Sequence, residues 1–189
     1  MTRRLLACAL AALLPALAGA AATPRFGEAP AAGLGGPIEL VDQDGHAFGL
    51  RQLAHRSALV FFGYTHCGTS CPTALVAARE VLARSASAPA IVFVTLDPLN
   101  DPPAALRAYL RNFDEHLIGL TGTPGAVGRV ADRYGVGVER DSSSVAHSAK
   151  WYLLDPAGRL ARVYSLDTPA QQLAADLDRV AQGSLEASR

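Results

Sequence analysis

Two of the chain's three cysteines, Cys67 and Cys71, stand four positions apart in "FFGYTHCGTSCPTAL", where an apolar run of strand length meets residues with helical spacing. Paired thiols at such a junction support three chemistries: a structural disulfide, a redox couple or a metal clamp. Amide groups at a helix N-terminus stabilise anions, so a thiol there is expected to lose its proton more readily. Both disulfide exchange and metal ligation need the thiolate. Redox pairs are usually C-x-x-C, whereas Gly68, Thr69 and Ser70 separate these two cysteines. An i, i+4 pair shares a helix face and can turn both sulfurs on one guest. It can also close into a disulfide where the Cα atoms approach within about 4.4–6.8 Å. Spacing alone tilts modestly towards a metal and leaves both readings open.

The elements that must position this pair follow from patterning. "SALVFFGYT" and "AIVFVTLD" are continuous apolar runs, the mark of central strands covered on both faces. Between them "CPTALVAAREVLARSA" has helical spacing, with Pro72 in the first turn, where its missing N–H costs nothing. "DPPAALRAYLRNF" repeats the signal, with Asp101 expected as N-cap and Pro102 at N1. "TPGAVGRVADRYGV" predicts a third, shorter helix, and "TPAQQLAADLDRVAQG" a last one ended by Gly183. "IELVDQDGHAFGL" and "KWYLLDPAGRLARVYS" read as hairpins. The order is hairpin, β-α-β-α, short helix, hairpin, helix. That is α/β and matches the thioredoxin-like plan with an N-terminal β-hairpin extension. Reactive groups of open α/β sheets gather beyond the carboxyl ends of the strands, where Cys67 and Cys71 fall.

A clamp needs a third donor. Of the five histidines, His46 falls in a hairpin turn, His55 in a basic stretch and His116 at a helix end, where a cation suits the dipole. These three read as structural or incidental. His66 adjoins Cys67, but neighbours at a strand end point in opposite directions. His147 lies in "RDSSSVAHSAKWYLLD", a polar loop feeding an apolar strand. Thioredoxin-like enzymes carry a proline there, facing the cysteines; none occurs between Gly125 and Pro156. The residues alone leave His147 open between ligand and bystander. Asp97 stays open between a strand-end turn and a supporting role at the site. Trp151 and Tyr152 read as core packing, and Gly119, Gly122 and Gly125 as turn glycines.

The ends and composition bound the setting. Arg3 and Arg4 precede an apolar stretch from Leu5 to about Ala22 that closes on Ala18-Gly19-Ala20, a secretory leader pattern over residues 1–20, with an uncleaved membrane anchor as the alternative. Residues 21–37, rich in Ala, Gly and Pro, are expected as a flexible linker, residues 38–183 as the folded domain and 184–189 as a disordered tail. Such a chain works in the periplasm, or facing it from the inner membrane, where paired thiols close unless reduced or ligated. Lys+Arg and Asp+Glu both number 17, so there is no electrostatic footprint for nucleic acid. P-loop, serine-elbow and zinc-protease motifs are absent.

In order along the chain, "FFGYTHCGTSCPTAL", "VTLDPLNDPPAAL", "LIGLTG" and "HSAKWYLLDPAGRL" resemble successive motifs of the SCO/SenC family of copper-binding thioredoxin-like proteins, from about Pro37 to Gln182. The resemblance implies a copper site of Cys67, Cys71 and His147 and delivery of copper to the dinuclear site of cytochrome c oxidase. Two departures stand out: the family's intervening proline and aspartate are replaced by Gly68-Thr69-Ser70, and the residue before the histidine, often aspartate, is Ala146. Neither removes a ligand. Soft thiolates select Cu(I), and imidazole accepts either copper oxidation state. Zinc would call for a fourth donor. Two functions follow. One is a copper metallochaperone with an oxidase subunit as acceptor and a thiol reductase or another copper chaperone as further partner. The other is a thiol–disulfide oxidoreductase in which Cys67 attacks and Cys71 resolves, reducing an acceptor's cysteines.

Overall fold

The computed structural model describes residues 27–53, 55–140, 145–147 and 149–183; the side chains of residues 139, 140 and 145–147 are outside this description. The leader at 1–20 and the tail at 184–189 also lie outside it. Among the described residues no helix is long and apolar enough to cross a membrane.

Seven strands form one sheet in the order β2-β1-β5-β4-β3-β8-β9. The expected hairpin is β1 (Glu39–Asp42) and β2 (Ala47–Gly49), turned at Asp42 to His46. The two apolar runs are β3 (Ala58–Gly63) and β4 (Ala90–Thr95), parallel to each other and buried throughout. Alternation explains why they are apolar at every position. Ala58, Val60 and Phe62 join one core with Val92 and Val94, while Leu59 and Phe61 join the opposite core with Ile91 and Phe93. Between β3 and β4 runs α1 (Ser70–Arg84), whose Ala74, Leu75, Ala78 and Val81 are buried. With α2 (Pro103–Leu110) and α4 (Ala170–Ala181) it covers the second face; α3 (Pro124–Arg133) covers the first. The C-terminal hairpin, β8 (Lys150–Leu154) and β9 (Leu160–Ser165), adds to β3 antiparallel, and Gly183 leaves α4 with φ +70° as a C-terminal glycine does. Trp151 and Tyr152 are fully buried core residues, as expected.

Several local expectations give way. A strand not expected from the sequence, β5 (Ile118–Thr121), runs through "LIGLTG", parallel to β4 and paired to β1. Gly119 is a strand glycine, because a Cβ there would come 2.5 Å from Leu110 Cδ1 of α2. Gly125 sits inside α3, which at ten residues is longer than the eight of α2. Asp101 does not cap α2; Pro102 holds the N-cap position and the Asp101 side chain points into the sheet. His116 does not end a helix but pairs with Asp114, Nδ1 to Oδ1 2.8 Å, in the turn before β5. The polar loop before β8 contains a small antiparallel pair, β6 (Val138–Arg140) and β7 (Val145–His147). Part of the stretch read as a linker lies along the domain: Glu28 bridges Val163, and the Gly36 carbonyl accepts from the Tyr134 hydroxyl at 3.0 Å.

Candidate metal centre

The strand β3 ends at Gly63, and the chain turns at once through Tyr64 to Cys67, closed by the Cys67 N–H donating to the Tyr64 carbonyl at 3.2 Å. Helix α1 starts three residues later, so Cys71 falls in its first turn and Cys67 just before it. Cys67 is half-buried; Cys71 is fully buried, in the same core cluster as Phe61, Phe93 and Trp151. Both are free thiols. Their side chains are within hydrogen-bonding reach of each other, and the Tyr64 backbone also bonds to Cys71. Cys67 Sγ lies 3.1 Å from Ser70 Oγ.

This sulfur needs Gly63. A Cβ there would lie 2.7 Å from Cys71 Sγ, 2.9 Å from a Phe61 ring carbon and 3.0 Å from a Phe93 ring carbon, closer than real contacts allow. Two aromatic rings and one thiol thus fill the space that a side chain would take.

The electrostatics overturn one expectation. A helix start was to ease deprotonation, yet the Cys71 thiol is pushed up from 9.0 to about 12. Burial is the largest cause, and the neighbouring Cys67 adds to it, outweighing the Tyr64 backbone and Ser70 contacts that lower it. A soft metal that replaces the proton at such a buried sulfur relieves this penalty by neutralising the thiolate directly, so the pair suits Cu(I) in donor type and surroundings.

Around the pair stand polar groups that sequence patterning missed. Asp101 is fully buried and accepts from the Thr65 N–H at 3.0 Å, from the Thr65 hydroxyl, and from the Thr95 hydroxyl at 2.6 Å. Its cap-like position before a proline hid this, since capping and cross-strand bonding ask for the same residue type. Tyr109 of α2 holds a buried hydroxyl with no partner and stacks on Phe93 with ring centroids 6.2 Å apart. Burial and the charges of Cys71, Cys67 and Asp101 push its phenol up. Trp151 Nε1 is likewise buried without a partner. Asp97 is a turn former: its carbonyl accepts from the Asn100 and Asp101 N–H groups and its carboxylate from Asn100 Nδ2 at 2.9 Å.

His147 lies in β7, its backbone opposite Val138; its side chain is outside the described residues. Because β8 runs antiparallel to β3 and pairs Trp151 with Phe61, the start of β8 and the end of β3 share one end of the sheet. His147 precedes Lys150 by three residues, at most about 10 Å of chain. Between them Ala149 packs against the cluster that holds Cys67 and Cys71. His46, His55 and His116 stand elsewhere, in the first hairpin, an exposed turn and the pair with Asp114. Among the described residues no group of three or more His, Cys, Asp or Glu could hold a metal ion.

The whole arrangement has counterparts. A copper-bound ScoI of Bradyrhizobium japonicum is 37% identical and superposes with a TM-score of 0.70, covering 78% of this chain and 99% of its own. A copper-bound ScoI of Arabidopsis thaliana is 27% identical, with a TM-score of 0.73 over 79% of this chain and 99% of its own. Such neighbours share the thioredoxin-like fold seen here. A SCO2-like protein of Rickettsia prowazekii is 34% identical over 150 residues, 74% of this chain and 73% of its own. The SCO1/SenC family profile matches residues 27–182. With the family pattern spanning the sheet, the cysteine turn and both hairpins, the chain belongs to the SCO1/SenC family.

Proposed function

We propose that the chain is a copper carrier: Cys67, Cys71 and His147 hold one copper ion and surrender it to the copper-acceptor subunit of cytochrome c oxidase. The observation that carries this reading is the thiol pair itself. One sulfur is half-buried and one sealed, they are within hydrogen-bonding reach, and they occupy the sheet end from which the His147 strand enters β8. Two soft sulfurs and one imidazole make a low-coordinate site suited to Cu(I). The copper held by similar proteins at 37% and 27% identity supports the same guest. Residues 1–20 act as the leader that takes the chain to the periplasm, and the domain beyond the linker carries the site; a retained leader would anchor it to the inner membrane.

Transfer follows from the asymmetry of the two thiols. An incoming ligand can approach copper from the Cys67 side, where the chain is exposed from Gly68 to Ser70, while the buried Cys71 keeps hold until exchange is complete. The test is copper analysis of the reduced, leaderless protein after desalting. One equivalent is expected, with His147→Ala retaining far less Cu(II) and oxidising its dithiol as the wild type does. Substoichiometric uptake by the wild type contradicts the carrier.

A second reading is favoured by the thiol–thiol contact: Cys67 attacks a disulfide of an acceptor and Cys71 resolves it. It predicts that Cys71→Ser traps a mixed disulfide with the acceptor through Cys67. Absence of any trapped species would count against it.

A further inference from the structure

The stretch before the first hairpin is bound to the domain at both of its ends, and the binding has a direction. Glu28 and Val163 exchange both backbone bonds: the Glu28 N–H donates to the Val163 carbonyl at 2.9 Å, and the Val163 N–H to the Glu28 carbonyl at 3.0 Å. This bridge is antiparallel and lies on β9, the last strand in the sheet order. It covers part of an edge whose polar groups would otherwise be open to pairing. Residue 27 stands beside Tyr164. The Gly27 backbone bonds to the Tyr164 hydroxyl, and a Cβ on Gly27 would lie 2.5 Å from the ring. Further on, a Cβ on Gly35, at φ +92°, would lie 2.7 Å from Leu160 Cβ. Between Gly27 and Gly35 the chain has therefore passed down β9 from Tyr164 to Leu160. It finishes across α3: the Gly35 N–H donates to the Arg133 carbonyl at 2.8 Å, Arg133 Nη1 donates to the Pro37 carbonyl at 3.1 Å, and Leu34 packs against the first core.

The sheet register tells at which end this strap begins. Phe61 pairs with Trp151, Trp151 pairs with Tyr164, and Gly27 continues that row. Phe61 is two residues from Gly63, where β3 gives way to the cysteine turn. Leu160 pairs with Leu154, which lies opposite Ala58 at the start of β3. The strap thus enters at the cysteine end of the sheet and runs towards the other. Three strand spacings, about 14 Å, separate Gly27 from Phe61. Residues 21–26, between the leader and the strap, reach at most about 22 Å. A free linker over residues 21–37 would let the domain turn either end to an anchor. A docked one leaves only the short reach before Gly27.

We propose that residues 27–37 are an orienting strap: in the chain that keeps its leader, they hold the cysteine end of the domain towards the membrane surface. The inference rests on the retained-leader form of the reading above and not on copper. His55 and Gly158, which line one cavity with Leu154, mark the end that faces away. An acceptor that meets the cysteines in this orientation carries its own ligands close to the membrane surface.

The test is paramagnetic relaxation of the backbone amides of the reduced full chain, held by its leader in nanodiscs that contain a gadolinium-chelating lipid. Amides of Gly68, Leu99 and Ser165 belong to the cysteine end. Their enhancement should exceed that of His55 and Gly158 on the order of tenfold across the roughly 20 Å of β3. Gly27→Val, whose side chain has no room beside Tyr164, should lose most of this difference while the amide signals of the sheet persist. Insertion of about twenty Gly and Ser residues between Phe26 and Gly27 leaves the strap docked and should level the difference too. Equal enhancement at both ends of the wild type, a larger one at the His55 end, or a difference that survives either variant overturns the inference. A full chain recovered from cells without its leader overturns it as well. Copper uptake by the same sample reads the carrier separately: no copper with the difference intact refutes the carrier and supports the strap.

Discussion

Cys71 gathers three constraints on one sulfur: the glycine that makes room for it, the burial that keeps its proton, and the partner thiol beside it. Gly63→Ala should therefore cost about 1–3 kcal/mol of stability, as inserted methyl groups do in filled cores, and displace the sulfur. Urea unfolding measures the first effect and copper stoichiometry the second; a variant as stable as the wild type with full copper uptake would show that the pocket yields. The raised thiol also has a pH signature. The folded chain holds the Cys71 proton up to about 12 against an ordinary 9.0. Above pH 9 the unfolded chain binds fewer protons than the folded one, so stability falls as pH rises, at up to about 1.4 kcal/mol per pH unit for this group. The contribution is intact below pH 9 and is lost between 9 and 12. Reduced, copper-free wild type should thus lose urea resistance from pH 9 to 10, and Cys71→Ala should flatten that fall. The buried tyrosines Tyr109, Tyr134, Tyr152 and Tyr164, raised from 10.0 by burial, add to the same fall, so the share of the thiol is the difference between the two proteins. Equal slopes in the two proteins would contradict the assignment.

At the scale of elements, what a sequence shows depends on whether one residue type can serve two ends. The β3–α1–β4 unit was legible because continuous apolar runs and an amphipathic helix have different periods, and both cysteines fell at their junction. The β5 strand was not, because "LIGLTG" is short and its glycines suit turns; Gly119 is there to let Leu110 approach. Asp101 was misread for a related reason, since an aspartate before prolines is an ordinary cap signal and only the fold brings Thr65 and Thr95 to it. The β6–β7 pair lies in a polar stretch without alternation to mark it. The Asp101 link joins the exit of β3, the end of β4 and the start of α2. Asp101→Ala leaves the Thr65 N–H and the Thr95 hydroxyl without their acceptor and should cost about 1–3 kcal/mol, read as a lower urea midpoint. An unchanged midpoint would mean that water replaces the carboxylate at no penalty.

Across the whole molecule, the N-terminal hairpin extends one edge of the sheet and the C-terminal hairpin the other, and the central strands end at the cysteine turn. The chain entering the C-terminal hairpin reaches that same sheet end. Copper that binds the folded chain alone should stabilise it, by about 2.7 kcal/mol at a hundredfold excess over its dissociation constant. The central claim, that an imidazole from late in the chain joins two sulfurs from its middle, is tested most directly by X-ray absorption on the Cu(I)-loaded, reduced protein. Two sulfurs and one imidazole nitrogen are expected around copper, the nitrogen lost in His147→Ala and kept in His66→Gln. A shell unaltered by His147→Ala would contradict the account.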